Sequence, residues 1–166
     1  QEYGNAGSRT HEFGSRAKSA VELARIQVAS VVKAEKSDVI FTSGATEANN
    51  LAILGLADHL QNKKAHIITS SIEHKAVLEP MAHLASKGID ITYVAPNKHG
   101  IVESSSLAEA LREETGLVSL MHVNNETGAI QPLSEYAEVL KEHKTYFHTD
   151  AAQSYGKDLA DLQRPR

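Results

Sequence analysis

Apolar, β-prone runs alternate with helical patterns along this chain, and most of the runs break off on small or polar residues. Enrichment in β-branched and aromatic residues between turn signals predicts strands over about 38–43, 66–70, 90–95, 117–123 and 145–149. Helical spacing predicts helices over about 46–62 and 73–87, a short one opened by Ser106, Leu107, Ala108 and Glu109, and one whose face is Leu133, Tyr136, Ala137 and Leu140. A longer amphipathic helix, marked by Ala17, Ala20, Val21, Ala24, Val28, Val31 and Val32, precedes the first strand. Such alternation implies parallel pairing, because parallel neighbours are joined only by a crossover, usually a helix. The expected fold class is α/β: a mainly parallel sheet with helices on both faces. In sheets of this kind ligands bind outside the carboxyl ends of the strands. The residues that close each run are therefore where chemistry is expected.

With 41% hydrophobic residues in 166, the chain can build a core around one such sheet. It has no 18-residue apolar run and no signal-peptide pattern, so neither a membrane-spanning nor a secreted reading has support. The net charge is −4 with no basic block, and nothing argues for direct nucleic-acid binding. Without cysteine there is no disulfide scaffold.

The closure Phe147–Ser154 is the most informative. An apolar stretch ends on Asp150 and passes at once into Ala151, Ala152 and Gln153. A carboxylate buried at a strand mouth must be paired or protonated. One partner that needs such an acid is the protonated ring nitrogen of pyridoxal phosphate (PLP). Metals, riboses and arginines also bind strand-end acids.

At Gly44–Asn50, small residues let a ligand approach the backbone, and free N–H groups at a helix start favour an anion. The Thr46 hydroxyl adds a donor. The segment is neither a Walker loop nor a G-x-G-x-x-G fingerprint, and an ordinary tight turn reads the same way. Ser70-Ser71-Ile72-Glu73 fits a capping box and predicts a helix start. His74 follows, where an imidazole can stack on a flat heterocycle or move a proton; a hydrogen-bonded structural histidine would look no different. The run Val118–Val123 closes on Asn124, Asn125, Glu126, Thr127 and Gly128, whose amides can also cap backbone groups.

Nine histidines raise the question of a metal. His148 and Asp150 are two apart and share a strand face, with Glu73, His74 and His122 as further candidates. There is no H-E-x-x-H and no Cys/His cluster, so no metal site is expected.

Taken together, Phe41–Ile53 (FTSGATEANNLAI), Glu73–Pro80 (EHKAVLEP), Val118–Pro132 (VSLMHVNNETGAIQP) and Phe147–Lys157 (FHTDAAQSYGK) resemble the signatures of the PLP-dependent cysteine desulfurases, of the class V aminotransferase superfamily, in order and spacing. The resemblance runs from Gly4 to Lys157 and implies the fold type I architecture of PLP-dependent transferases. It implies that Ala45 and Thr46 hold the cofactor phosphate, and that His74 stacks on the ring and assists proton transfer. It places Asn125 near the ring oxygen and substrate, pairs Asp150 with the ring nitrogen, and has Gln153 hydrogen-bond the phenolic oxygen.

The implied activity is removal of sulfur from L-cysteine, giving L-alanine and an enzyme persulfide for a sulfur-acceptor protein. The implied setting is a homodimer in the bacterial cytoplasm or an organelle matrix. The acceptor routes are iron–sulfur assembly, tRNA thiolation and DNA phosphorothioation, and Gly4–Gly14 resembles desulfurases of the last. Other class V enzymes, such as a selenocysteine lyase, and a non-catalytic binding module that keeps the fold are the alternatives. The family's Schiff-base lysine lies in a Ser-x-His-Lys motif that no lysine here matches: Lys75 belongs to a helix start and Lys157 follows a glycine. The mobile cysteine that takes the sulfur is also missing. Residues 1–166 are therefore expected to be a partial PLP-binding large domain, lacking the Schiff-base lysine segment and the small domain, and inactive alone.

Overall fold

The structure is a computed structural model that describes residues 4–8, 10–60 and 66–163. These fall into two compact units: Thr42–Lys157, and a smaller one drawn from residues 1–41 and 158–166.

In the smaller unit, α1 (Glu12–Val31) begins on His11, whose Nδ1 accepts the Gly14 N–H at 3.0 Å. The expected helix forms, and of its predicted face Ala17, Ala24, Val28, Val31 and Val32 are partly buried while Ala20 and Val21 are exposed. The strand expected at 38–43 does not form. Lys36–Asp38 closes a 3₁₀ turn, and Val39 is extended at φ −88° and ψ 123° without a described strand beside it. β-propensity supplies the torsions, but a strand needs a ladder to occupy its backbone groups. The Arg25 guanidinium donates to the Val39 carbonyl instead, and lies 5.0 Å from the centre of the Phe41 ring.

The larger unit carries α2 (Ala45–Leu60), β1 (His66–Ser70), α3 (Lys75–Ser86), β2 (Asp90–Val94), α4 (Ser104–Ala110), β3 (Thr115–Ser119), α5 (Leu133–Leu140) and β4 (Tyr146–His148). The sheet order is β2-β1-β3-β4, every pair parallel. Ile67, Ile68, Leu117 and Val118 are fully buried, so the central strands are covered on both faces and read as continuous apolar runs. Ile67 and Leu117 face Ile53, Ala57 and Leu60 of α2 and Val77, Met81 and Leu84 of α3. On the other face, Tyr136 of α5 meets Phe147 edge-on at 6.5 Å, and Phe147 is in register with Val118. Helices thus cover both faces, as the alternation requires.

At the sheet's amino end, His66 bridges three strands: Nδ1 lies 2.9 Å from the Thr115 hydroxyl and Nε2 2.8 Å from that of Thr92. Pro80 inside α3 cannot bond back to Ala76. The Asn50 amide of α2 reaches that carbonyl at 3.5 Å, tying the two helices together.

The boundaries depart from expectation at the caps. The N-cap of α3 is His74, four residues after Ser70, because Glu73 is drawn inward. α4 starts at Ser104 rather than Ser106, and Glu103 caps it without a side-chain bond, so no capping box forms there. β3 ends at Ser119, although backbone bonds continue from Leu120 to His148 at 3.1 Å and from His122 to Asp150 at 3.0 Å. In α5 Leu133, Tyr136 and Leu140 are buried, but Ala137 is exposed. The last positions of the expected helix, 61 and 62, lie outside the described residues.

Candidate active site

The strands end together at Ser70, Ser119 and His148, and the segments beyond them enclose a cavity of about 190 Å³ with the start of α2. Ala45, Thr46, His74, Met121, Val123, Asn125, Asp150, Ala152 and Gln153 line it. All six residues singled out in the sequence are among them.

Asp150 is the buried acid of the site, at 8% exposure. Both its oxygens are engaged: the Asn49 amide donates to Oδ2 at 2.8 Å, and the Ala152 N–H donates to Oδ1 at 2.9 Å. Asn49 was not among the sequence candidates. Its signal was a polar residue in the buried stripe of α2, in line with Ile53, Ala57 and Leu60.

Ala45 and Thr46 open α2, so their N–H groups have no carbonyl one turn back. Glu47 secures this turn by accepting the Ser43 N–H at 2.6 Å, and the Ser43 side chain together with that N–H holds its carboxyl below the usual range.

His74 is exposed and caps α3, its Nδ1 accepting the Ala76 N–H at 3.1 Å. In the neutral ring that bond leaves the proton on Nε2.

Asn124 and Asn125 divide their work. Asn124 is buried: its Oδ1 accepts the N–H groups of Glu126 and Thr127, each at 2.9 Å, and its amide donates to the Ile72 carbonyl at 2.9 Å. The backbone-capping role therefore falls to Asn124. Asn125 is exposed at the cavity, its amide donating to Glu126 at 3.0 Å. Gln153 is also exposed and lines the cavity.

His148 and Asp150 do not form a metal pair. The His148 Nδ1 lies 2.8 Å from the Ser119 hydroxyl, and burial holds the ring below the usual histidine range. Among the described residues, no group of three or more His, Cys, Asp or Glu could hold a metal ion. No described helix is long and apolar enough to cross a membrane.

Parallel strands ending around a cavity that holds an acid, an imidazole and two amides define an α/β ligand-binding fold of the strand-mouth type. The family model for class V aminotransferases matches residues 1–165, and the chain belongs to that family. It is 49% identical over 162 residues to the cysteine desulfurase IscS of Pectobacterium atrosepticum, covering 98% of this chain and 40% of that protein. Among solved structures it is similar to DndA from Streptomyces lividans, with TM-score 0.88 and 55% identity over 96% of this chain and 44% of that one. It is also similar to SspA in complex with cysteine, with TM-score 0.89 and 41% identity over 97% of this chain and 47% of that one. The chain thus spans about two fifths of the length of the curated relatives it matches.

The family is PLP-dependent. The donor set here suits that cofactor: a buried acid with both oxygens held, a helix start with free N–H groups, and an imidazole and amides at the rim. Among the described residues, no lysine lines the cavity.

Proposed function

We propose that this chain is part of the cofactor-binding domain of a PLP-dependent cysteine desulfurase. The observation that carries the proposal is the meeting of Ala45, Thr46, His74, Asn125, Asp150 and Gln153 around one cavity at the strand mouths. When bound, PLP supplies an electron sink for bond cleavage at the amino acid. In this reading the Asp150 carboxylate holds the proton on the ring nitrogen, with Asn49 and Ala152 keeping its two oxygens in place. The N–H groups at the start of α2 and the Thr46 hydroxyl bind the phosphate. His74 covers the ring, and its Nε2 is the atom that moves a proton, because Nδ1 is held by Ala76. Asn125 orients the substrate near the ring oxygen, and Gln153 donates to the phenolic oxygen.

The overall reaction takes L-cysteine to L-alanine and leaves the sulfur as a persulfide on a cysteine thiol. This chain has no cysteine, so that thiol is not among its residues. Residues 1–166 are in this reading a partial large domain, with the Schiff-base lysine supplied from outside them. The acceptor is a sulfur-carrying protein of iron–sulfur assembly, tRNA thiolation or DNA phosphorothioation, and the resemblance at Gly4–Gly14 favours the last. The protein acts as a homodimer in the bacterial cytoplasm or an organelle matrix.

The test is alanine and persulfide formation from L-cysteine by the full-length protein loaded with PLP. Release of selenium from selenocysteine, with cysteine left intact, would assign it as a lyase instead. PLP binding without turnover of either would leave the binding-module reading.

A further inference from the structure

Behind the cavity wall lies a second buried carboxyl. Glu73 is 6% exposed. Its Oε1 accepts the Ser70 hydroxyl at 2.5 Å and the Met121 backbone N–H at 2.9 Å, while its buried Oε2 has no partner among the described residues. An oxygen stripped of water and given no donor carries negative charge only at high cost, and a proton on it replaces that cost with the smaller one of a hydroxyl without an acceptor. Burial, with the Asp150 charge adding to it, pushes the carboxyl up to about 7. Tyr136 on α5 is the other titratable group it acts on, and its neighbours along the chain are His74 and, beyond Met121, His122.

The two bonds join segments that lie far apart in sequence. Ser70 is the last residue of β1, and His74 directly follows Glu73. Met121 lies two residues past β3 and lines the cavity with Val123 and Asn125.

We infer that Glu73 is a positioning residue for the cofactor site, fastening the turn that carries His74 to the segment that carries Asn125. The inference rests on reading the cavity as a PLP site. Ionised, Glu73 keeps its acceptors but sets a second negative charge behind Asp150, in a place that gives one oxygen no donor. The Ser70 and Met121 bonds favour the charged form, but burial and the Asp150 charge outweigh them, so the buried arrangement as a whole is most stable while the carboxyl keeps its proton.

The test measures PLP affinity of the full-length apoprotein by fluorescence titration from pH 6 to pH 8.5, for wild type, Glu73→Gln, Glu73→Ala and Ser70→Ala. Glutamine keeps an oxygen for Ser70 and Met121 and cannot ionise. At the acid end it should bind PLP within about threefold of wild type, and the ratio should move in its favour as pH rises. Glu73→Ala strands both donors and should weaken PLP about tenfold or more at either end. Ser70→Ala should weaken it by a smaller factor, and carries the test if Glu73→Ala does not fold. Wild-type affinity in the variants that fold, or a glutamine variant no better than alanine, overturns the inference while leaving the cavity reading intact. Failure of the wild-type protein to bind PLP overturns both.

Discussion

Asp150→Asn separates the charge of the site acid from its shape. The wild-type carboxylate is 8% exposed and held by Asn49 at 2.8 Å and Ala152 at 2.9 Å. Asparagine keeps the volume and an oxygen for one of those donors, so the surrounding fold should survive. What it removes is the negative charge. If the partner is a protonated ring nitrogen, a buried charge pair is broken, at a cost of about 2–5 kcal/mol. At 1.36 kcal/mol per decade this is a fall in kcat/KM of about 30-fold to about 5,000-fold. Asp150→Ala also leaves two donors without an acceptor, each costing about 1–3 kcal/mol. It should therefore lose stability as well as turnover. The assay is the initial rate of alanine release from L-cysteine by the full-length protein at saturating PLP, beside the urea midpoint of each variant. Near-wild-type rates in the asparagine variant would refute the argument that Asp150 faces a charged partner.

Thr46→Ala should raise the PLP concentration needed for half activity and leave kcat at saturation nearly unchanged, since a phosphate contact is made equally in ground and transition states; an unmoved PLP requirement would remove the hydroxyl from the phosphate site. Asn49→Ala should cost about 1.5–3 kcal/mol of stability through the bond lost to Asp150, read from chemical denaturation. Burial holds His148 below its ordinary value of 6.5, so the unfolded chain takes up that proton first as pH falls. Its contribution to stability is present above 6.5 and lost as pH falls through the folded value; the urea midpoint should drop on acidification, and drop less in His148→Gln. The isolated 166-residue chain, mixed with PLP and reduced with borohydride, should give no stoichiometric adduct on one lysine by mass spectrometry, because no described lysine lines the cavity. A single specific adduct, on Lys75 for example, would show that the assignment of that lysine is wrong.

The strand mouths were legible because each is marked twice, by an apolar run and by the residues that stop it. Ile67–Ser70 and Leu117–Ser119 form strands as read, and the acid two residues past β4 sits in the cavity. The run at 38–43 carries equally good propensity and forms no strand, because pairing depends on a neighbour that local sequence does not specify. The pattern Ser70-x-x-Glu73 was misread as a capping box for a related reason. The same two side chains do bond to each other, but as a buried contact at the end of β1 rather than around a helix start. Asn49 was invisible as the holder of Asp150 because its partner is 101 residues away.

The two buried carboxyls show how the fold gives one chemical group two uses. Asp150 stands at the cavity with a donor on each oxygen, so a negative charge there is accommodated and can be offered to a ligand. Glu73 has both its donors on one oxygen and none on the other, which suits a proton rather than a charge. Glu73 and His148 set opposite pH responses within one unit. Glu73 favours the native state most below its ordinary 4.5, and that advantage is lost as pH rises through about 7. His148, on the strand that leads to Asp150, loses its contribution as pH falls below 6.5. A native state that keeps both Glu73 and His148 neutral is thus held between two titrations. A PLP affinity that weakens as pH rises through about 7 in wild type, and does not in Glu73→Gln, is the signature that Glu73 serves the cavity through its protonated form.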